Sequence, residues 1–175
     1  MKNTLFFTNA QKILAFMAGP LKPEYTEREI LSGLKVSRPG VNLGLKELMD
    51  VGLVSRVKKG GTYFYTVKKQ EPVIKQLKTV LNVLRLRDVV AKMRVMSEKV
   101  ILFGSASRGE NTGDSDIDLF VVSQNTQVVE KIIKNTKLNI QLIVKTPVKY
   151  GEQEKKEPHF SREVERGIVL WQKTE

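Results

Sequence analysis

The sequence contains no cysteine, a single histidine (His159) and a single tryptophan (Trp171) in 175 residues. The lack of cysteine excludes disulfide staples, zinc ribbons and a thiolate nucleophile. One histidine leaves no material for a histidine metal cluster and argues against a Ser-His-Asp triad. No stretch approaches the roughly 18 consecutive apolar residues that a membrane-spanning helix needs. The start, Met1 to Phe7, carries one charge and an apolar run too short for a signal peptide. These absences lead to the expectation of a cytoplasmic protein with no membrane partner.

Charge is the abundant feature. Thirty Lys and Arg against nineteen Asp and Glu give a net charge of +11. The excess is uneven, with twelve basic against five acidic residues in 1–70 and eighteen against fourteen in 71–175. A small, strongly basic half suits a polyanion, nucleic acid before membrane. A lysine-rich, merely solubilising surface is the other reading of the same numbers. With 41% hydrophobic and 28% charged residues, the chain has a globular composition, long enough for one medium domain or two small ones.

The first 70 residues read as three short helices and a hairpin. Asn9 to Met17 puts Ile13, Leu14 and Met17 on one face, and Gly19-Pro20 stops it. Thr26-Glu27-Arg28-Glu29 is a capping box, so a second helix starts at Thr26, buries Ile30 and Leu31, and ends at Gly33. Ser37 caps a third, with Pro39 in its first turn and Val41, Leu45 and Leu48 inward, ending at Gly52. Leu53 to Lys58 and Thr62 to Val67 are strands joined at Gly60-Gly61. Arg38, Asn42 and Lys46 are spaced four apart and share a helix face. Arginine and asparagine are the side chains suited to bidentate contacts with guanine and adenine, while Lys58 and Lys59 stand at the hairpin tip. Gly40 and Gly44 weaken the third helix by roughly 1 kcal/mol each relative to alanine, which points to a close approach by DNA or by a neighbouring helix.

This order, and the stretch from Val36 to Val54 with its Ser cap, paired leucines and closing Gly-Leu-Val, resembles the winged helix-turn-helix of bacterial and archaeal regulators over residues 5–69. The resemblance implies double-stranded DNA as a partner, with Arg38, Asn42 and Lys46 at the major groove and Lys58 and Lys59 at phosphates or the minor groove. Winged helices also serve as protein-interaction modules.

Residues 71–96 are expected to be a helical linker, followed from about Leu86 to Met96 by the first helix of a second domain. Leu77, Leu81 and Leu84, with Val80 alongside, form a stripe that serves either core packing or a homodimer seam.

Val100 to Phe103 is a buried-type strand, followed by Gly104-Ser105, ten residues, and Asp116-Ile117-Asp118. Asp116 and Asp118 alternate on a strand and point to the same face. Two carboxylates there are costly unless a cation neutralises them, and oxygen-only ligands favour Mg²⁺ or Mn²⁺. Gly104 lets the backbone approach a phosphate, and Ser105 offers a hydroxyl and an N–H to an anion. Arg108 can reach a phosphate or form a surface ion pair. Asp114 and Ser115 shape the turn into the strand.

The Gly-Ser and Asp-x-Asp spacing, with Arg108-Gly109 and Ser115-Asp116 inside it, resembles the minimal nucleotidyltransferases of the DNA polymerase β-like superfamily. The likeness extends over about 85–175 and includes Glu163 to Trp171 as a last helix and short strand. It implies an α/β (α+β) chain. A winged helix at 1–70 and the helical segment 71–96 precede a nucleotidyltransferase domain with a short mixed sheet at 97–175. It also implies a nucleoside triphosphate, with ATP favoured, held by Gly104, Ser105, Arg108 and Ser115, and Mg²⁺ or Mn²⁺ on the catalytic Asp116 and Asp118.

The family's third carboxylate, base and metal ligand, belongs on the strand Leu138 to Val144. Gln141 stands at the aligned position and Asn139 on the same face, and an amide cannot take a proton near neutral pH. Glu152, Glu154 or the substrate itself would then supply the base. Three functions follow: a DNA-binding transcriptional regulator whose second domain binds nucleotide with Mg²⁺ and transfers a nucleotidyl group; an antitoxin-type enzyme that adenylylates a partner protein; or a retired nucleotide-sensing or dimerisation scaffold. His159 is expected to cap or pack, Trp171 to pack the last strand, and Lys145 to Lys156 to form a loop or lid.

Overall fold

The computed structural model describes residues 5–19 and 22–174, with the side chains of 154 and 155 left aside. Met1 to Thr4, Pro20 of the expected helix stop, and the Glu154 side chain fall outside the described residues. The chain divides into two compact units, Met1–Lys78 and Thr79–Glu175. No helix of the described residues is long and apolar enough to cross a membrane.

The first unit runs α1 (Asn9–Ala18), β1 (Tyr25–Thr26), α2 (Glu27–Gly33), α3 (Arg38–Asp50), β2 (Val54–Lys59) and β3 (Thr62–Val67). Each helix begins on a hydroxyl. Thr8 caps α1 with Gln11 reciprocating, Thr26 caps α2 with Glu29 reciprocating, and Ser37 caps α3. The strands form one antiparallel sheet in the order β1-β3-β2, closed by Gly60 and Gly61 at positive φ. Ile13, Ile30, Val41 and Leu45 fill its core with Tyr25 and Tyr65. Gly40 and Gly44 serve a helix contact: a Cβ on Gly44 would lie 2.7 Å from Ile13 Cδ1 and 3.1 Å from the Ala10 nitrogen, and one on Gly40 would lie 2.6 Å from Asn9 Nδ2. Of the two partners open from sequence, the glycines therefore admit α1.

Residues 71–96 differ from expectation. Pro72 to Met93 is one helix, α4, not two segments, because no breaker interrupts it after Pro72. Ile74 and Leu77 belong to the first core and Leu86, Val89 and Met93 to the second. Leu81 and Leu84 of the stripe are only half-buried, and Val80 is exposed.

The second unit continues with β4 (Lys99–Phe103), α5 (Gly104–Ser107), β5 (Ile117–Val122), α6 (Thr126–Lys134), β6 (Ile140–Lys145), α7 (Pro147–Lys156), α8 (Pro158–Glu165) and β7 (Ile168–Gln172). Its mixed sheet has the order β6-β5-β4-β7, parallel between β5 and β6 and antiparallel elsewhere. Alternation splits the strands: Val100, Leu102, Leu119 and Val121 join Met93 and Val129 in one core. On the other face, Ile101, Phe103, Phe120 and Val122 pack with Val164, Tyr150 and Phe160. The whole is an α+β fold.

Two late expectations change. The stretch expected as a loop or lid ends β6 and then forms α7, because Thr146 accepts from Lys149 N and Pro147 takes the first turn. His159 neither caps nor packs; it is exposed in the first turn of α8. Trp171 does pack the last strand, half-buried, with Nε1 donating to the Ser97 carbonyl at 3.3 Å.

Candidate functional site

The Gly104 turn is where the second unit concentrates its constraints. Gly104 has φ +65°, a conformation that side chains rarely adopt, and a Cβ there would lie 2.1 Å from Asp118 Oδ2. The strand register sets this, since Phe103 pairs with Asp118 across β4 and β5. The short helix after the turn is held from behind by α4. Asn82, buried, donates from Nδ2 to the Ala106 carbonyl at 2.9 Å and to Asn111 Oδ1 at 3.0 Å, and Thr79 donates to the Ser107 carbonyl at 3.2 Å. Ser107 itself donates to the Gly104 carbonyl at 2.8 Å. A buried, bonded asparagine fixes α5 more tightly than apolar packing would.

Burial pushes the Asp118 carboxyl above its ordinary range, the charges of Asp116 and Glu163 push it further, and Arg108 opposes them. Asp116 stands one residue before β5 and accepts a hydrogen bond from Asn139 Nδ2. Asp118 pairs in register with Gln141. The amides thus lie beside the aspartates, at the place where the resemblance leads one to expect a carboxylate. Among the described residues no group of three or more acids and histidines is arranged to hold a metal ion. The carboxyl whose charge Asp118 feels besides Asp116 is Glu163 of α8, which sequence reasoning had not assigned. Glu152 is exposed and paired with Lys156 at 2.6 Å.

The remaining expected residues of this site are dispersed in character. Ser105 follows Gly104 at the start of α5, half-buried. Arg108 is exposed and paired with Glu110 at 2.9 Å, and it also lines a cavity with Ser107, His159, Arg162, Glu163 and Arg166. Ser115 spends its hydroxyl on the turn, accepting from Thr112 N at 2.8 Å.

The first unit presents the other set. Arg38, Asn42 and Lys46 are exposed on α3, opposite the buried Val41, Leu45 and Leu48. Arg38 pairs with Glu27 at 3.0 Å. Lys58 and Lys59 are exposed at the end of β2, and Lys59 pairs with Glu24 at 2.7 Å. The hairpin adds what the sequence reading left out: Arg56 lies 4.4 Å over the Tyr63 ring and Lys59 Nζ lies 5.3 Å from the Phe64 ring.

Residues 83–170 match the family model described as the nucleotidyltransferase domain. The chain belongs to this family. A protein of Methanocaldococcus jannaschii, provisionally named a protein adenylyltransferase, is 26% identical over 105 residues, 55% of this chain and 98% of its own. Among solved structures, one provisionally named a nucleotidyltransferase, from Sulfolobus solfataricus, is 20% identical, covers 55% of this chain and 88% of its own, and has a TM-score of 0.35. A transcriptional regulator, 12% identical, covers 50% of this chain, which spans 61% of its length, also at 0.35. Likeness at that level is too low to argue from. The family match encloses Gly104, Asp116, Asp118 and Glu163, so the left-handed turn and the carboxylates belong to the nucleotidyltransferase part of the molecule.

Proposed function

We propose that the second unit binds a nucleoside triphosphate, ATP first, with a divalent cation, and transfers its nucleotidyl group to an acceptor. The observation that carries this is the pairing of the Gly104 turn with a carboxyl pushed up by burial and a second carboxylate. Asp116 and Asp118 with the carbonyl oxygens of Gln141 and Asn139 make a hard oxygen set, which fits Mg²⁺ or Mn²⁺. Such an ion would supply charge neutralisation for the triphosphate and for the leaving group. Gly104 and Ser105 receive phosphate oxygens through backbone and hydroxyl, with Arg108 adding a guanidinium. Ser115 holds the turn that presents Asp116.

In the transfer, an acceptor hydroxyl oxygen bonds to the α-phosphorus. The bond from that phosphorus to the bridging oxygen breaks, and pyrophosphate leaves with the electron pair. The hydroxyl proton passes to Glu163, since the amides of Gln141 and Asn139 cannot accept it. The test is α-labelled ATP with Mg²⁺ and a cell extract of protein and nucleic acid: label on an acceptor supports transfer, and binding with no label transferred identifies a nucleotide sensor. The name of the M. jannaschii relative favours a protein acceptor, the second reading.

For the first unit we propose a winged helix that binds double-stranded DNA, making the chain a regulator. Support comes from the helix–strand–helix–helix–hairpin order, the exposed Arg38, Asn42 and Lys46 face, and the basic hairpin of Arg56, Lys58 and Lys59. Its affinity should fall steeply with salt, and a flat response would remove nucleic acid as the partner.

A further inference from the structure

Beside the Gly104 turn lies a cavity of about 600 Å³ walled by Ser107, Arg108, His159, Arg162, Glu163 and Arg166. Three guanidiniums face one carboxylate there. Arg108 has an acidic partner, Glu110. Arg162 donates from Nε to the Pro158 carbonyl at 3.2 Å, and its Nη2 lies 3.3 Å from His159 Nδ1, so the fork is oriented by groups of its own helix. Among the described residues no ion pair engages Arg162 or Arg166, in a structure where Lys22, Arg38, Lys59 and Lys156 each have a carboxylate. Helical spacing explains the convergence. His159, Arg162, Glu163 and Arg166 recur at three- and four-residue intervals, while Val164 is buried against the sheet. A planar guanidinium pre-oriented at Arg162, with Arg166 one helical turn on, suits a phosphate.

The wall begins at Ser107 and Arg108, the far end of α5 from Gly104 and Ser105, and neither of those two residues nor either aspartate lines it. We propose that this cavity is a second phosphate seat, adjoining that of the nucleotide and sharing only Arg108 with it, in which Arg162 and Arg166 hold a phosphate carried by the acceptor. The acceptor is then itself a phosphorylated molecule, and Glu163 in the same wall stands between it and the aspartates. A neighbouring cavity of about 490 Å³, which shares His159 and is walled by Ile143 and Phe160 together with Lys145, Lys156 and Glu157, gives room for the body attached to that phosphate. The proposal rests on the reading of Gly104, Ser105 and the aspartates as the nucleotide site.

The test is calorimetric titration of inorganic phosphate into the full chain, alone and after saturation with ATP and Mg²⁺. The double variant Arg162→Ala/Arg166→Ala removes the seat, and Lys131→Ala/Lys134→Ala on α6 removes the same charge elsewhere. Expected is phosphate binding that the arginine variant weakens at least tenfold, that the lysine variant keeps, and that saturation with ATP changes by less than threefold. Competition between ATP and phosphate would assign the cavity to the nucleotide's own phosphates and overturn the second seat. Equal weakening in both double variants, or no phosphate binding by the unaltered chain at 10 mM (about 2.7 kcal/mol of binding at most), would overturn it as well. Failure of ATP itself to bind sinks the nucleotide reading separately, because the phosphate titration of the free chain is read without it.

Discussion

Both units bring a glycine against a neighbouring element, and they do so for different ends. In the first, Gly44 lets α1 lie against α3; its φ is helical, and the atoms it admits are a methyl and a helix backbone. In the second, Gly104 takes φ +65° and admits a carboxylate oxygen. The first contact is packing. It lowers helix propensity and returns apolar contact in the core around Ile13, Val41 and Leu45. The second holds a left-handed turn against a carboxyl that burial and two neighbouring charges disfavour in its ionised form. In the first unit, α1, α2 and α3 each start on their own hydroxyl cap, as local rules direct. At Gly104 in the second unit, local preference and the neighbouring carboxyl conflict, and such conflicts mark sites.

The largest test of this contrast is Gly104→Ala. Positive φ and the collision with Asp118 together should cost about 3 kcal/mol and abolish nucleotide binding. Denaturant titration and calorimetry on one preparation would show both losses, and an alanine that binds ATP normally would dissolve the distinction. Gly44→Ala should cost about 2 kcal/mol, because Ile13 and Ala10 must shift, yet leave ATP affinity within twofold. A larger change in ATP binding would mean that the two units are not functionally separable. Arg38→Ala should weaken specific DNA binding by at least about 1 kcal/mol with ATP binding intact, read by titration of a selected operator.

The smallest effect is a pH dependence in the first unit. The Lys22 ammonium, then the backbone N–H and hydroxyl of Thr26, hold the Glu29 carboxyl down at about 2 from its ordinary 4.5. A lowered folded value means that the contribution is complete above the ordinary value and is lost as pH falls from 4.5 towards 2. Glu29→Gln should flatten the fall in melting temperature over that window only slightly, since the pair is exposed. Asp118 runs the other way. Its raised carboxyl binds its proton more readily folded than unfolded, so its ionisation works against folding as pH rises past the ordinary range. Asp118→Asn should therefore raise the melting temperature at neutral pH while removing metal-dependent nucleotide binding.

Much of this was legible in the sequence because the signals are local. Thr26 with Glu29, Ser37 with Pro39, and Gly60-Gly61 each fix their own few residues, and the structure places elements there. The Gly104, Asp116 and Asp118 spacing is also local enough to read, and the register puts Gln141 beside Asp118, as the resemblance led one to expect. What escaped was tertiary. Asn82 looks like one polar residue in an apolar helix until it meets Ala106 and Asn111. Glu163, Arg162 and Arg166 look like a solvated helix face until α8 packs through Val164 beside β4. The Thr146-Pro147 start of α7 was readable, but a run of Lys and Glu masked it.

The measurement that bears most directly on the central claim is calorimetric titration of ATP into the full chain, with and without Mg²⁺, beside Asp116→Ala. The account predicts binding that requires the metal and that the variant loses by at least a hundredfold, about 2.7 kcal/mol. Equal binding with and without Mg²⁺, or an Asp116→Ala variant that binds as well as the unaltered chain, would contradict it.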